Sequence, residues 1–279
     1  MTAKNSRRHR VSVRSLQSVL AAASLAAAML PATASAHRSF LVPSSTVLSG
    51  PGQWLTVDAA RGNDLFYFNH NAMPVDGLVI TAPDGRTVPP AKLERFRYRT
   101  VFDVQLTESG TWRTAVVDEG LRAQWQENGQ PKRWNGSRSD FAKAVPSGAQ
   151  KLTVSEVQSR VEVFVTAGKP TPIKPTGRGL EVDYTPHPND LVAGEASELR
   201  FLADGKPAAG LQVKVVPGGN RYRDTTGEMK MTADADGRVS ITWPHPGLYW
   251  VNAGIRGTAE PPATRRLVTY AATVEVLSK

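Results

Sequence analysis

Thr100-Val101-Phe102-Asp103-Val104, followed after a short turn by Thr111-Trp112-Arg113-Thr114-Ala115-Val116-Val117, is the passage whose reading decides the fold. β-Branched and aromatic residues crowd both runs, and each is too short to make a packed helix. The same pattern recurs outward in both directions. Trp54-Leu55-Thr56-Val57, Leu65-Phe66-Tyr67-Phe68 and Gly77-Leu78-Val79-Ile80 precede it, separated by Gly, Pro, Asn and Asp turns. Leu180 to Tyr184, Ser197 to Leu202, Leu211 to Val216, Glu228 to Thr232, Val239 to Trp243, Leu248 to Ala253 and Leu267 to Val276 follow it. Short, evenly spaced strands of this kind predict an all-β fold of the sandwich type.

One stretch interrupts the pattern with prolines: Gly168-Lys169-Pro170-Thr171-Pro172-Ile173-Lys174-Pro175-Thr176-Gly177. Proline cannot donate to a central ladder and favours an extended spacer, so a domain boundary is expected there. The expected organisation is residues 37–167 as an N-terminal sandwich, 168–179 as a linker and 180–279 as a C-terminal sandwich, both Ig-like or transthyretin-like. An internal echo supports two related units. Asp84-Gly85-Arg86 precedes Gly110-Thr111-Trp112, and Asp236-Gly237-Arg238 precedes Gly247-Leu248-Tyr249-Trp250. In each, an Asp-Gly turn opens a hairpin and glycine starts a strand with aromatics for the core. Residues 121–149, with Trp125, Trp134, Phe141 and several basic side chains, read as a long loop or lid whose 139–145 part forms a short helix.

Residues 1–36 read as a cleaved export signal. Lys4, Arg7, Arg8, Arg10 and Arg14 form a basic leader, Ser15 through Leu30 is apolar and alanine-rich, and Ala34-Ser35-Ala36 is a small-residue cleavage site. Ser6-Arg7-Arg8 also resembles the start of a twin-arginine signal, without its hydrophobic continuation. No later segment has the roughly 20 apolar residues of a membrane-crossing helix. A periplasmic or secreted location is expected. Removing the leader lowers the formal charge from +9 to +4, because it holds five basic residues and no acid. That balance does not suggest nucleic-acid binding. The absence of cysteine means that no disulfide staples the fold, and excludes thiolate metal sites, iron–sulfur clusters and cysteine nucleophiles.

Cleavage after Ala36 would make His37 the first residue, placing a primary amine and an imidazole on one Cα. Together they can chelate a borderline metal ion without help from the rest of the fold. Three other histidines lie beyond the leader: His70, His187 and His245. His70, in Phe68-Asn69-His70-Asn71 at the end of a β run, belongs to the same expected domain as His37 and is the preferred second ligand. The alternative is a turn histidine bonded to backbone. His187 and His245 share a Pro-His-Pro context. Flanking prolines can hold an imidazole outward for a ligand or simply make rigid corners. Asp58, Asp64, Asp183 and Asp190 are candidate oxygen donors, although no metal-spacing signature is present. The expected ligand is a divalent transition metal ion: nickel, copper, cobalt or zinc.

Gly194-Glu195, Leu199-Arg200-Phe201, Asp204-Gly205-Lys206-Pro207-Ala208-Ala209-Gly210, Val213-Lys214-Val215, Thr232 through Arg238 and Pro246 through Val251, taken in order, resemble the secreted bacterial DUF4198 family. The opening Ala36-His37-Arg38-Ser39-Phe40-Leu41 is similar to that family's start after the signal. The resemblance covers most of the chain after the leader. It implies metal handling outside the cytoplasm, since family members are similar to periplasmic components of nickel or cobalt uptake. His37 matches the family's initial histidine.

The expected function is therefore a periplasmic metal-binding protein acting in uptake, delivery or buffering, with an envelope transporter or receptor as partner. No enzymatic activity is expected, since there is no nucleophile elbow, phosphate loop or dinucleotide fingerprint. A non-enzymatic envelope adaptor, making contact through Trp125 and Trp134 with Arg122, Lys132 and Arg133 around them, is the alternative. A copper oxidase with a histidine brace near Tyr67 or Tyr98 comes third.

Overall fold

The structure is a computed structural model and describes residues 37–279; the expected signal lies outside the described residues. The first half contains β1 (Arg38–Pro43), β2 (Val47–Leu48), β3 (Gln53–Gly62), β4 (Asn71–Ala72), β5 (Leu78–Thr81), β6 (Thr87–Val88), β7 (Lys92–Arg95), β8 (Thr100–Leu106), β9 (Gly110–Glu127), β10 (Gln130–Gly136), a short helix α1 (Phe141–Ala144) and β11 (Gln150–Ala167). The second contains β12 (Leu180–Thr185), β13 (Leu191–Val192), β14 (Ala196–Ala203), β15 (Lys206–Pro207), β16 (Gln212–Pro217), a 3-10 turn (Asn220–Tyr222), β17 (Met229–Thr232), β18 (Arg238–Thr242), β19 (Gly247–Gly257) and β20 (Arg265–Leu277). The all-β reading is correct. In β8 the alternation is plain, with Phe102, Val104 and Leu106 buried and Gln105 exposed between them.

Three sheets make two cores. A five-stranded sheet, β1-β3-β8-β7 with β4 added to β3, faces one half of an eleven-stranded sheet, and a four-stranded sheet, β12-β14-β15 with β18 on β14, faces the other half. Leu55, Val57, Phe102, Trp112, Val163 and Val165 fill the first core. Leu199, Phe201, Val213, Trp243, Tyr249 and Val251 fill the second. The segment 168–179 lies between most residues of the two cores in sequence, but Val216, Trp250 and Ala271 join the first core and the large sheet crosses between the two. β11 and β20 pair in parallel from Ser155/Arg265 to Val163/Thr273. A parallel pair needs a long crossover, and here the strands of the second half supply it.

The proline-rich segment carries neither helix nor strand, yet it is held at several points. Thr171 and Thr111 exchange two hydrogen bonds, each backbone N–H donating to the other's Oγ1 at 2.9 and 3.0 Å. The N–H groups of Thr176 and Gly177 donate to Glu181 at 2.8 and 2.7 Å. Glu181 belongs to a buried charge cluster with Arg113, Arg160 and Glu162, none more than 9% exposed. Arg113 donates to Glu162 at 2.7 Å and to Glu181 at 3.0 Å, and the Tyr270 hydroxyl donates to the other oxygen of Glu162 at 2.7 Å. Two cations face two anions, so the interior carries no net charge. Burial alone would weaken the charge on Arg113, but Glu162 outweighs it and its pKa is raised. Burial likewise opposes the charge on Glu181, and the Thr176 N–H and Arg113 outweigh it, so its pKa is lowered.

Residues 121–149 correct the expectation of a loop. β9 runs on to Glu127, turns at Asn128-Gly129 and returns as β10, with Lys132 opposite Trp125 and Trp134 opposite Ala123. Asn128 adopts a positive φ of 51° and Gly129 one of 76°, the backbone that an Asn-Gly hairpin turn uses. The short helix falls inside the expected 139–145 stretch.

Candidate functional site

The end of β3 brings His37 and His70 together. On one flank β1 enters with Arg38 opposite Gly62, and on the other β4 enters with Asn71 opposite Arg61. Each histidine is the residue immediately before its strand, so both stand at the same end of the sheet. A Cβ on Gly62 would lie 2.5 Å from the Asp64 carbonyl oxygen and 2.6 Å from that of Tyr67, so only glycine lets the connecting loop fold back this closely. The loop is tied internally: Asn63 N–H donates to Asn69 Oδ1 at 2.9 Å, and Asn69 Nδ2 donates to Asp64 Oδ2 at 2.9 Å. Phe66 and Phe68 anchor it on Phe40, at ring separations of 5.5 and 6.2 Å. The outcome is a parallel stack of the two imidazoles, with centroids 3.4 Å apart and planes within 6°.

The second half braces both histidines. Trp250 Nε1 donates to Ser39 O at 3.0 Å, and the Arg38 guanidinium lies 5.9 Å from the Trp250 ring, which holds the start of β1. Asn220 Nδ2 donates to Asp64 Oδ1 at 3.2 Å, Arg221 approaches Asp64 Oδ2 to 3.8 Å, and the Arg221 guanidinium sits 4.7 Å from the Tyr67 ring centre. These contacts occupy Asp64. Asp58 faces Arg99 at 3.4 Å, and burial pushes its pKa up against the pull of that arginine. Neither carboxylate joins the imidazoles: among the described residues no three or more His, Asp or Glu gather in a metal-holding group. The donor set at this end is two imidazoles, with the His37 amine as a third nitrogen when the chain starts there.

A family model described as a domain of unknown function, DUF4198, matches residues 34–257. The chain belongs to the DUF4198 family. No curated protein matches it. Among solved structures, this DUF4198 chain is similar to the D0-D1 domain of intimin at 12% identity and a TM-score of 0.23, covering 85% of this chain and 97% of that one. The human OSCAR ligand-binding domain is similar at 15% identity and a TM-score of 0.18, covering 83% and 97%. Such distant likenesses carry no functional argument.

The two Pro-His-Pro corners of the DUF4198 chain differ from the stacked pair and from each other. His187 is half-buried and fully engaged. Its Nδ1 accepts the Asn189 N–H at 3.2 Å, which leaves the ring proton on Nε2, and Nε2 donates to Thr111 Oγ1 at 3.0 Å. Thr166 links to Thr111 at 3.0 Å and donates to Asn189 at 2.9 Å, closing the network. Burial lowers the pKa of His187, against an opposing pull from Asp190. With its one lone pair committed, His187 is a structural group rather than a ligand. At His245 it is the backbone that is pinned: its N–H donates to Tyr249 Oη at 3.2 Å, and Tyr249 donates to its carbonyl at 2.8 Å, while the residue itself is exposed.

Trp125 and Trp134 of the DUF4198 chain pack around a third small core of Leu121, Ala123, Val145, Val154 and Ala263. Trp134 meets Phe141 edge to face at 5.8 Å. The features that sequence reasoning missed are Gly62, whose signal is a lone glycine ending a strand, and Trp250, whose indole reaches across to the first core.

Proposed function

We propose that the chain is an exported binding protein for a divalent transition metal ion, nickel, cobalt, copper or zinc. It takes the ion on the His37 amine, a His37 ring nitrogen and His70, and serves metal uptake, delivery or buffering in the periplasm with an envelope transporter or receptor as partner. The stacked His37 and His70 rings carry this reading. Nitrogen donors suit these ions and not calcium or magnesium, and copper heads the affinity order for such a set. Lone pairs of parallel rings run side by side rather than converging, so the rings must splay to grip one ion. His37 is exposed, which leaves room for that movement. The adaptor alternative has less support, because the tryptophans it relies on pack into the third core.

Calorimetric titration with each of the four ions tests the proposal on protein beginning at His37, beside protein with one additional alanine ahead of it. The expected result is binding weakened by at least about tenfold in the extended form. Equal binding by both forms, or by neither, overturns it.

A further inference from the structure

One cleft is lined by the loop that leads to His70 but contains neither stacked histidine. It encloses about 460 Å³ between the Phe66-Tyr67 stretch on one side and the 217–223 turn with the 245–249 corner on the other. That size falls within the range of small-molecule sites. Phe66, Tyr67 and Leu248 supply flat and apolar wall, and no Asp or Glu lines it among the described residues. Gly219 and Gly247 adopt positive φ values of 71° and 130° with open space where a Cβ would stand, which keeps the mouth clear.

Two nitrogen-bearing side chains, Arg223 and His245, also line the cleft. Arg223 Nη2 donates to the carbonyls of Pro217 at 2.9 Å and Thr226 at 3.3 Å, which fixes the guanidinium and leaves Nε and Nη1 with protons to give. No carboxylate pairs with it among the described residues. Arg223 and Tyr249 line the same cleft. His245, its backbone held by the Tyr249 hydroxyl, contributes an imidazole with no protein partner.

We propose that this cleft binds a small organic carboxylate, its apolar part against Phe66, Tyr67 and Leu248 and its carboxylate on Arg223 and His245. A fixed guanidinium and an imidazole lining one cleft suit a planar carboxylate, and the apolar wall favours a ligand with carbon to bury over a bare inorganic anion. The site is independent of the metal reading, since neither His37 nor His70 lines it.

Benzoate is the probe, with benzamide as its uncharged counterpart and inorganic phosphate as the bare anion, followed by the amide signals of Gly218, Gly219 and Gly247 in NMR titrations of the protein beginning at His37. Benzoate should give saturable shifts at these glycines, with benzamide at least about tenfold weaker. Arg223→Gln should abolish the response. Because Arg223 also ties the 217–226 turn, His245→Ala is the second variant, and it should weaken benzoate several-fold with an unchanged melting temperature. His70→Ala should leave benzoate binding as it was, whatever its effect on metal. Absence of saturation, equal binding of benzamide, phosphate as tight as benzoate, or full binding by His245→Ala would each overturn the proposal.

Discussion

The interior junction between the halves and the rim at the end of β3 are built from similar side chains and use them in opposite ways. At the junction every charge and every imidazole nitrogen is consumed: Arg113 by Glu162 and Glu181, Glu162 also by Tyr270, and His187 by Thr111 and Asn189. At the rim, two histidines touch through their faces and leave their ring nitrogens unspent. A polar group sealed from water must be satisfied, so the junction holds the fold and has nothing left to offer a ligand. An exposed group keeps its hydration and its choice of partner.

Removing a junction charge should have the largest effect on stability. Glu162→Ala leaves Arg113 and Arg160 to share Glu181 as their one buried carboxylate and takes the Tyr270 hydroxyl's acceptor away, and should cost about 3–5 kcal/mol in urea unfolding. A loss under 1 kcal/mol would mean that water reaches the cluster and the contrast with the rim is false. His187→Ala comes next. It leaves the Asn189 N–H without an acceptor and takes one donor from Thr111 Oγ1, and should cost about 1–3 kcal/mol, with metal titration unchanged. His70→Ala should reverse that profile, lowering stability by less than about 0.5 kcal/mol while weakening metal binding at least tenfold. If both variants moved the same quantity, the division between a structural and a functional histidine would fail.

Acid sharpens the same comparison. His187 has a folded pKa depressed by burial, so below the ordinary histidine value of about 6.5 the unfolded chain binds the extra proton and stability falls with pH. Glu181 has a folded pKa held down by the Thr176 N–H and Arg113 against the opposing effect of burial, so its contribution is intact above about 4.3 and is lost as pH drops through its folded value. Melting temperatures should therefore decline in two stages, and His187→Gln should remove only the upper one. The last expected effect is at the brace between the halves. Trp250→Phe keeps most of the packing but loses the bond to Ser39 O, costing about 1 kcal/mol and loosening the start of β1 beside His37. A weakening of metal affinity without any change at His187 would show that the second half positions the site.

Much of the fold was legible because strand formation is local. Alternation along Thr100–Leu106 announces itself in seven residues, and the Asp-Gly turns carry their own backbone preference. The 121–149 stretch was misread because Arg122, Lys132, Arg133 and Pro131 dilute its apolar pattern, while its tryptophans pack against residues as distant as Ala263. The continuous sheet was invisible for a related reason: β11 and β20 meet across about a hundred residues, and nothing in either strand names its partner.

The candidate site divides along the same line. Sequence alone determined which residues could bind metal, because donor chemistry belongs to the side chain and a cleaved signal would add an amine to His37. With no cysteine, it also confined the donors to histidine, carboxylate, backbone and amine. Only the tertiary structure decided which histidines remain available. A stack across the end of β3 depends on strand register, on Gly62 admitting a folded-back loop and on Trp250 reaching from the other half. His187 was committed elsewhere, in part by Thr111, a neighbour 76 residues away in sequence. Availability of a lone pair is set by what lies within about 3 Å in space, and that distance is fixed by packing rather than by order along the chain.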